Sequence, residues 1–213
     1  MQEFQILGGP SWLRSSRFDV SAKAEGPTPQ DRMRLMVSRL LAERFGLKAH
    51  AETRELSTYA LVIARADGRL GEHMRPSAID CQAIIAAGKV RPSTAGGLPP
   101  QCLWRIGITA SSAQMRVDGV QLARFATLLG PMARRTVVDK TGLTGTYDID
   151  LEFEPDQAGL PVVPVTPGAP APPARDGLSL FTALQEQLGL KLESERGPVN
   201  VLVIDSAELP TPN

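Results

Sequence analysis

Histidine and cysteine are scarce in this chain, with two of each among 213 residues. His50 and His73 together exclude any site built on three imidazoles. Cys81 and Cys102 alone fall short of the four ligands that a structural zinc ion takes. Neither sign of charge is in excess: 23 Lys plus Arg stand against 23 Asp plus Glu. There is therefore no global basic field to gather nucleic acid, and none is expected as a partner. No run approaches the roughly 20 apolar residues of a membrane-spanning helix. The opening Met1-Gln2-Glu3-Phe4 has neither the basic n-region nor the apolar h-region of a secretory leader. Gln2–Leu7 reads as a strand entered midway, so further sequence, a leader included, is expected ahead of Met1. No cofactor is expected.

What is present suits a soluble folded chain. The residues are 42% hydrophobic, enough for one large domain or two small ones with a real core. Cys81 and Cys102 bracket a stretch holding Gly88, Pro92, Gly96, Gly97, Pro99 and Pro100, which has little else to order it. A disulfide closing that loop would stabilise by about 3 kcal/mol and implies an oxidising compartment. Two unpaired buried thiols are the plain alternative.

Three segments carry a helix followed by strands. The first helix is expected from Thr28 as cap and Pro29 at the first position to Phe45, stopped by Gly46. Met33, Met36, Val37, Leu40, Leu41 and Phe45 form its apolar stripe. Arg32, Arg34, Arg39 and Arg44 read as a solvated face, with an anionic partner as the alternative. Strands are expected at Leu47–Thr53 and Thr58–Ala64, joined near Arg54–Ser57. The second helix starts after Asp118 as candidate cap and buries Leu122, Phe125, Ala126 and Leu129. Val137–Asp139 and Tyr147–Leu151 follow it around Gly142 and Gly145. The third helix is capped by Ser179, carries Leu180, Phe181, Leu184 and Leu188, and stops at Gly189. Leu190–Ser194 and Val199–Ile204 are its strands, around Arg196-Gly197-Pro198. Before these units, Gly8-Gly9-Pro10-Ser11 is turn chemistry, Arg17–Lys23 alternates like a strand, and Trp12 reads as a core anchor. Trp104–Ile108 is a further short strand.

The expected fold is α+β: repeated helix-plus-β-hairpin units packed around shared antiparallel or mixed sheets. Residues 1–154 form a main region with two units. Residues 155–177, rich in proline, form a linker. Residues 178–213 form the third unit, packed on the main region.

Few residues invite chemistry. His50 and Glu52 sit two apart and share one strand face, a spacing suited to two ligands or to a base with its orienter, although a solvent-facing polar strand edge is the plainer reading. Asp148 and Asp150 are paired carboxylates, suited to acid–base work or to holding a cation. Alternation with Tyr147, Ile149 and Leu151 is, however, what the exposed face of a strand looks like. Asp139 before Lys140-Thr141-Gly142 shapes a turn on its plainer reading. With His73, these are all the catalytic candidates, and no convergent Ser/His/Asp or Cys/His set accompanies them.

The segments Phe4–Leu13 with Arg17–Val20, Leu41–Lys48, Val138–Asp148, Leu184–Glu193 and Val203–Asp205 resemble a domain family of unknown function. That family is present in many copies in soil bacteria. The resemblance covers essentially the whole chain. It implies an N-terminal leader and an additional segment before the Gly8-Gly9-Pro10 turn, and in some members fusion to a membrane metallopeptidase of the BlaR sensor type. It carries no catalytic motif. The repeated units are also similar in pattern to the small modules at the N-terminus of secretins and TonB-dependent receptors. Together these imply an extracytoplasmic binding or interaction module, periplasmic or secreted, taking a protein or peptide by strand addition. A hydrolase or metal-dependent enzyme is the alternative.

Overall fold

A computed structural model of the chain describes residues 1–24, 26, 28–87, 102, 104–108, 112–155 and 177–210. The Gly/Pro-rich stretch between the cysteines and most of the expected 155–177 linker lie outside the described residues.

The chain is α+β, with strands in two four-stranded sheets. In chain order the elements are β1 (Ile6–Gly8), α1 (Trp12–Ser15), α2 (Gln30–Phe45), β2 (Lys48–Ile63), β3 (Met74–Pro76) and α3 (Cys81–Ala86). Then come β4 (Trp104–Ile108), β5 (Ala113–Val120), α4 (Leu122–Ala133), β6 (Val137–Asp139), β7 (Tyr147–Phe153), α5 (Leu180–Ala183) and β8 (Leu190–Ser206). One sheet is mixed, in the order β1-β8-β2-β6, with β1 parallel to β8 and β2 parallel to β6. The other is antiparallel, in the order β3-β7-β5-β4.

The expected hairpins are corrected. Lys48–Ile63 is one continuous strand, because Arg54-Glu55-Leu56-Ser57 holds no glycine, proline, asparagine or aspartate to turn the chain. Leu190–Ser206 is likewise one strand and runs through Gly197-Pro198. Its partner β1 pairs only over Leu202–Ile204, so proline's missing N–H removes no bond to β1 there. Val137–Asp139 and Tyr147–Phe153 join different sheets. The helix-plus-hairpin repeat is therefore not the observed arrangement.

The chain divides into two compact units: Met1–Leu56 with Gly197–Asn213, and Ser57–Arg196. In the first, Glu3–Gln5 form a 3-10 turn before β1, and Arg17–Lys23 form no strand. Trp12, Phe18 and Phe45 pack as a ring trio with centroids 5.3–6.4 Å apart. Pro29, and not Thr28, occupies the cap position of α2, so the helix starts one residue later than expected, and Gly46 closes it in the left-handed region. The apolar stripe of α2 is buried only in part. Leu40, Leu41 and Phe45 are half-buried, whereas Met33, Met36 and Val37 are 47%, 42% and 48% exposed.

The second unit holds the larger core. Alternate residues of β5 (Met115, Val117) and β7 (Ile149, Leu151) point to the buried side of the antiparallel sheet. The buried face of α4, Leu122, Phe125, Ala126 and Leu129, is the one expected. Asp118, however, lies in β5, and Gln121 holds the cap position of α4. Gly119 takes φ +60° at the irregularity between Val117 and Val120, where a Cβ would meet the Cys81 sulfur and the Ile79 carbonyl. Cys81 and Cys102 form a disulfide. Ser179 caps α5 by accepting from the Thr182 N–H at 3.2 Å, and the helix continues as a π turn over Leu184–Leu188 ending at Gly189. Among the described residues no helix is long and apolar enough to cross a membrane.

Candidate functional site

The Ser57–Arg196 unit carries an open groove of about 680 Å³. Its walls come from the ends of four elements. Tyr59 stands on β2 where Val137 of β6 pairs with it. Met132 closes α4. Phe153 ends β7, and Glu154, just beyond, bridges to Ser179 and donates its N–H to the Leu178 carbonyl at 2.7 Å. Phe181 is on the first turn of α5, 39% exposed, with its ring edge-on to Tyr59 at 5.5 Å.

Two arginines form one rim. Arg135 lays its guanidinium over the Tyr59 ring, 4.9 Å from the centroid. Arg134 terminates α4 with φ +52°, the only positive-φ residue other than glycine among the described residues. The other left-handed helix ends, Gly46 and Gly189, are glycine.

Immediately after this rim the chain becomes β6, an edge of the mixed sheet. Tyr59 donates to the Thr136 carbonyl and Lys140 donates to the Leu61 carbonyl, each at 2.9 Å. In a parallel ladder alternate residues bond to one side, so the N–H and C=O of Val137 and Asp139 point away from β2. Among the described residues no strand pairs with that edge.

The six sequence candidates fall in three places. His73, Asp148 and Asp150 line one cleft of about 270 Å³ on the polar face of the antiparallel sheet, with Glu72, Arg75, Arg116 and Asp118. Asp148 has structural partners there: one oxygen accepts from the Gly119 N–H at 3.0 Å, the other from Arg75 at 3.3 Å. Asp139 shapes the turn, accepting from the Thr141 N–H at 3.0 Å and its hydroxyl at 2.8 Å. His50 and Glu52 lie in the other unit. There His50 Nδ1 is 3.0 Å from Asp205 and Nε2 is 3.6 Å from Glu52, which also accepts from Arg54. The hydrogen bond and charge of Asp205, with a smaller part from Glu52, raise the His50 pKa above 6.5. Among the described residues no group of three or more His, Cys, Asp or Glu is placed to hold a metal ion.

Sequence reasoning missed Asp205 and the whole groove. Asp205 meets His50 only through the pairing of distant strands. The signal for the groove was present in part: Arg134-Arg135 fall where a helix-ending glycine would be expected, and Phe181 interrupts an otherwise buried stripe.

The chain belongs to a family described as "Protein of unknown function (DUF3738)", whose model matches residues 1–207. A search of curated proteins and a search of solved structures each gave no match.

Proposed function

We propose that this chain is an extracytoplasmic binding module that takes an extended protein or peptide segment by strand addition along β6. The observation that carries this reading is the pair of outward-facing main-chain groups at Val137 and Asp139, beside a groove open enough to receive a side chain. The Cys81–Cys102 disulfide supports an oxidising compartment. The test is to pan a random-peptide display library on the purified chain and to titrate a synthetic copy of any enriched sequence by calorimetry. Saturable one-to-one binding of a sequence with alternating apolar residues is expected. No enrichment over a control domain overturns the reading.

A hydrolase or metal-dependent enzyme is a second reading, favoured by the shared cleft of His73, Asp148 and Asp150. Stoichiometric metal that survives dialysis, read by elemental mass spectrometry, would support its metal-dependent form. Its absence would count against that form.

A further inference from the structure

We infer that the groove beside β6 is a specificity pocket for an extended peptide carrying an aromatic side chain two residues from a carboxylate, the spacing that puts both on one face of an added strand. This rests on the strand-addition reading and assigns it a ligand chemistry.

Phe181 leads the apolar side of the groove. A ring 39% exposed on the rim of an open groove, edge-on to Tyr59, gives an incoming aromatic side chain an apolar surface to pack against. Phe153 and Leu180, both buried, lie beneath it.

The charged part is the rim. Two guanidinium groups, Arg134 and Arg135, stand on the groove wall against one carboxylate, Glu154. Glu154 has a partner of its own. Arg135 lies over the Tyr59 ring and donates from one terminal nitrogen to the Ser194 hydroxyl at 3.5 Å, a long neutral contact that a carboxylate would outcompete. Arg134 has no ion-pair partner among the described residues. Its backbone conformation points the same way. An L-residue in the left-handed region costs folding energy that glycine avoids, and both Gly46 and Gly189 avoid it at their helix ends. A non-glycine residue kept in such a conformation at a groove rim points to a use for its side chain.

The probe is a capped peptide of alternating threonine and valine with one phenylalanine and one aspartate two residues apart at its centre, so that both side chains share a face. It is titrated calorimetrically into the full chain, beside three relatives: phenylalanine to alanine, aspartate to asparagine, and a parent N-methylated on alternate residues. The parent is expected to bind and each side-chain relative to bind about tenfold more weakly. R134G is expected to lose about as much affinity for the parent as the aspartate-to-asparagine change does, while its thermal midpoint does not fall. Equal binding of the parent and both side-chain relatives overturns the pocket and leaves strand addition standing. Equal binding of the N-methylated peptide overturns strand addition and leaves the pocket. Failure of the parent to bind overturns the pocket, and the display experiment then judges strand addition alone.

Discussion

Gln187 pairs its side-chain amide with the main chain of Glu152 as a neighbouring strand would. The Glu152 N–H donates to Gln187 Oε1 at 2.9 Å, and Gln187 Nε2 donates to the Glu152 carbonyl at 2.7 Å. On this side β7 is paired by β3 only over Tyr147–Ile149, so the amide serves the stretch of β7 beyond that short strand. The π turn carrying Gln187 is fixed from the other side, where His73 and Gly71 donate to the carbonyls of Gln187 and Leu188. Gln187→Ala removes both side-chain bonds where water has access. It should destabilise the chain by about 1 kcal/mol, read as a lower midpoint in urea at unchanged slope.

Gly71 admits no side chain, since a Cβ would overlap the Gln187 carbonyl. Gly71→Ala should therefore cost more than Gln187→Ala, about 1–3 kcal/mol, because backbone must move. Thermal unfolding of the two variants side by side checks the order.

Thr58 is buried and its hydroxyl finds no hydrogen-bond partner among the described residues. Thr58→Val keeps the shape and removes the unpaired polar atom. It should raise stability by about 1 kcal/mol, a thermal midpoint about 2–4 °C higher.

Arg134→Gly separates stability from binding. Relief of the left-handed residue should leave the chain as stable or up to about 1 kcal/mol more stable, while the groove loses a cation. Differential scanning calorimetry reads the first effect and peptide titration the second. A variant that unfolds earlier would show that Arg134 supports the fold instead.

His50 should titrate above 6.5, because Asp205 first and Glu52 second favour its charged form. The folded pKa lies above the unfolded one. The contribution is therefore complete at pH values below the unfolded pKa and is lost as pH rises through the folded pKa. Proton NMR of the imidazole should give a midpoint that falls in Asp205→Asn. An unchanged midpoint would show that Asp205 does not set it.

Much of the α+β organisation was legible in the sequence. The stops at Gly46 and Gly189, the cap at Ser179 and the buried face of α4 all follow from local chemistry that tertiary packing reinforced. The continuous strands were not legible: hairpins were expected, and Gly197-Pro198 is a turn signal that strand β8 absorbs without turning. The partial exposure of Met33, Met36 and Val37 was also hidden: a periodic stripe tells which face is apolar, not what covers it. Of the candidate residues, Asp148 and Asp150 share a face by alternation, whereas His73 joins their cleft only because β3 pairs beside β7. The groove is built from element ends distant in sequence, and no local pattern brings Tyr59, Arg135 and Phe181 together.

The most direct test of strand addition is amide hydrogen exchange, followed by NMR, in the free chain and with the phenylalanine–aspartate peptide bound. The account predicts that the Val137 and Asp139 amides, directed away from β2, become protected on binding, while those of Val138 and Lys140 change little. Saturated peptide that leaves Val137 and Asp139 exchanging as before would contradict it.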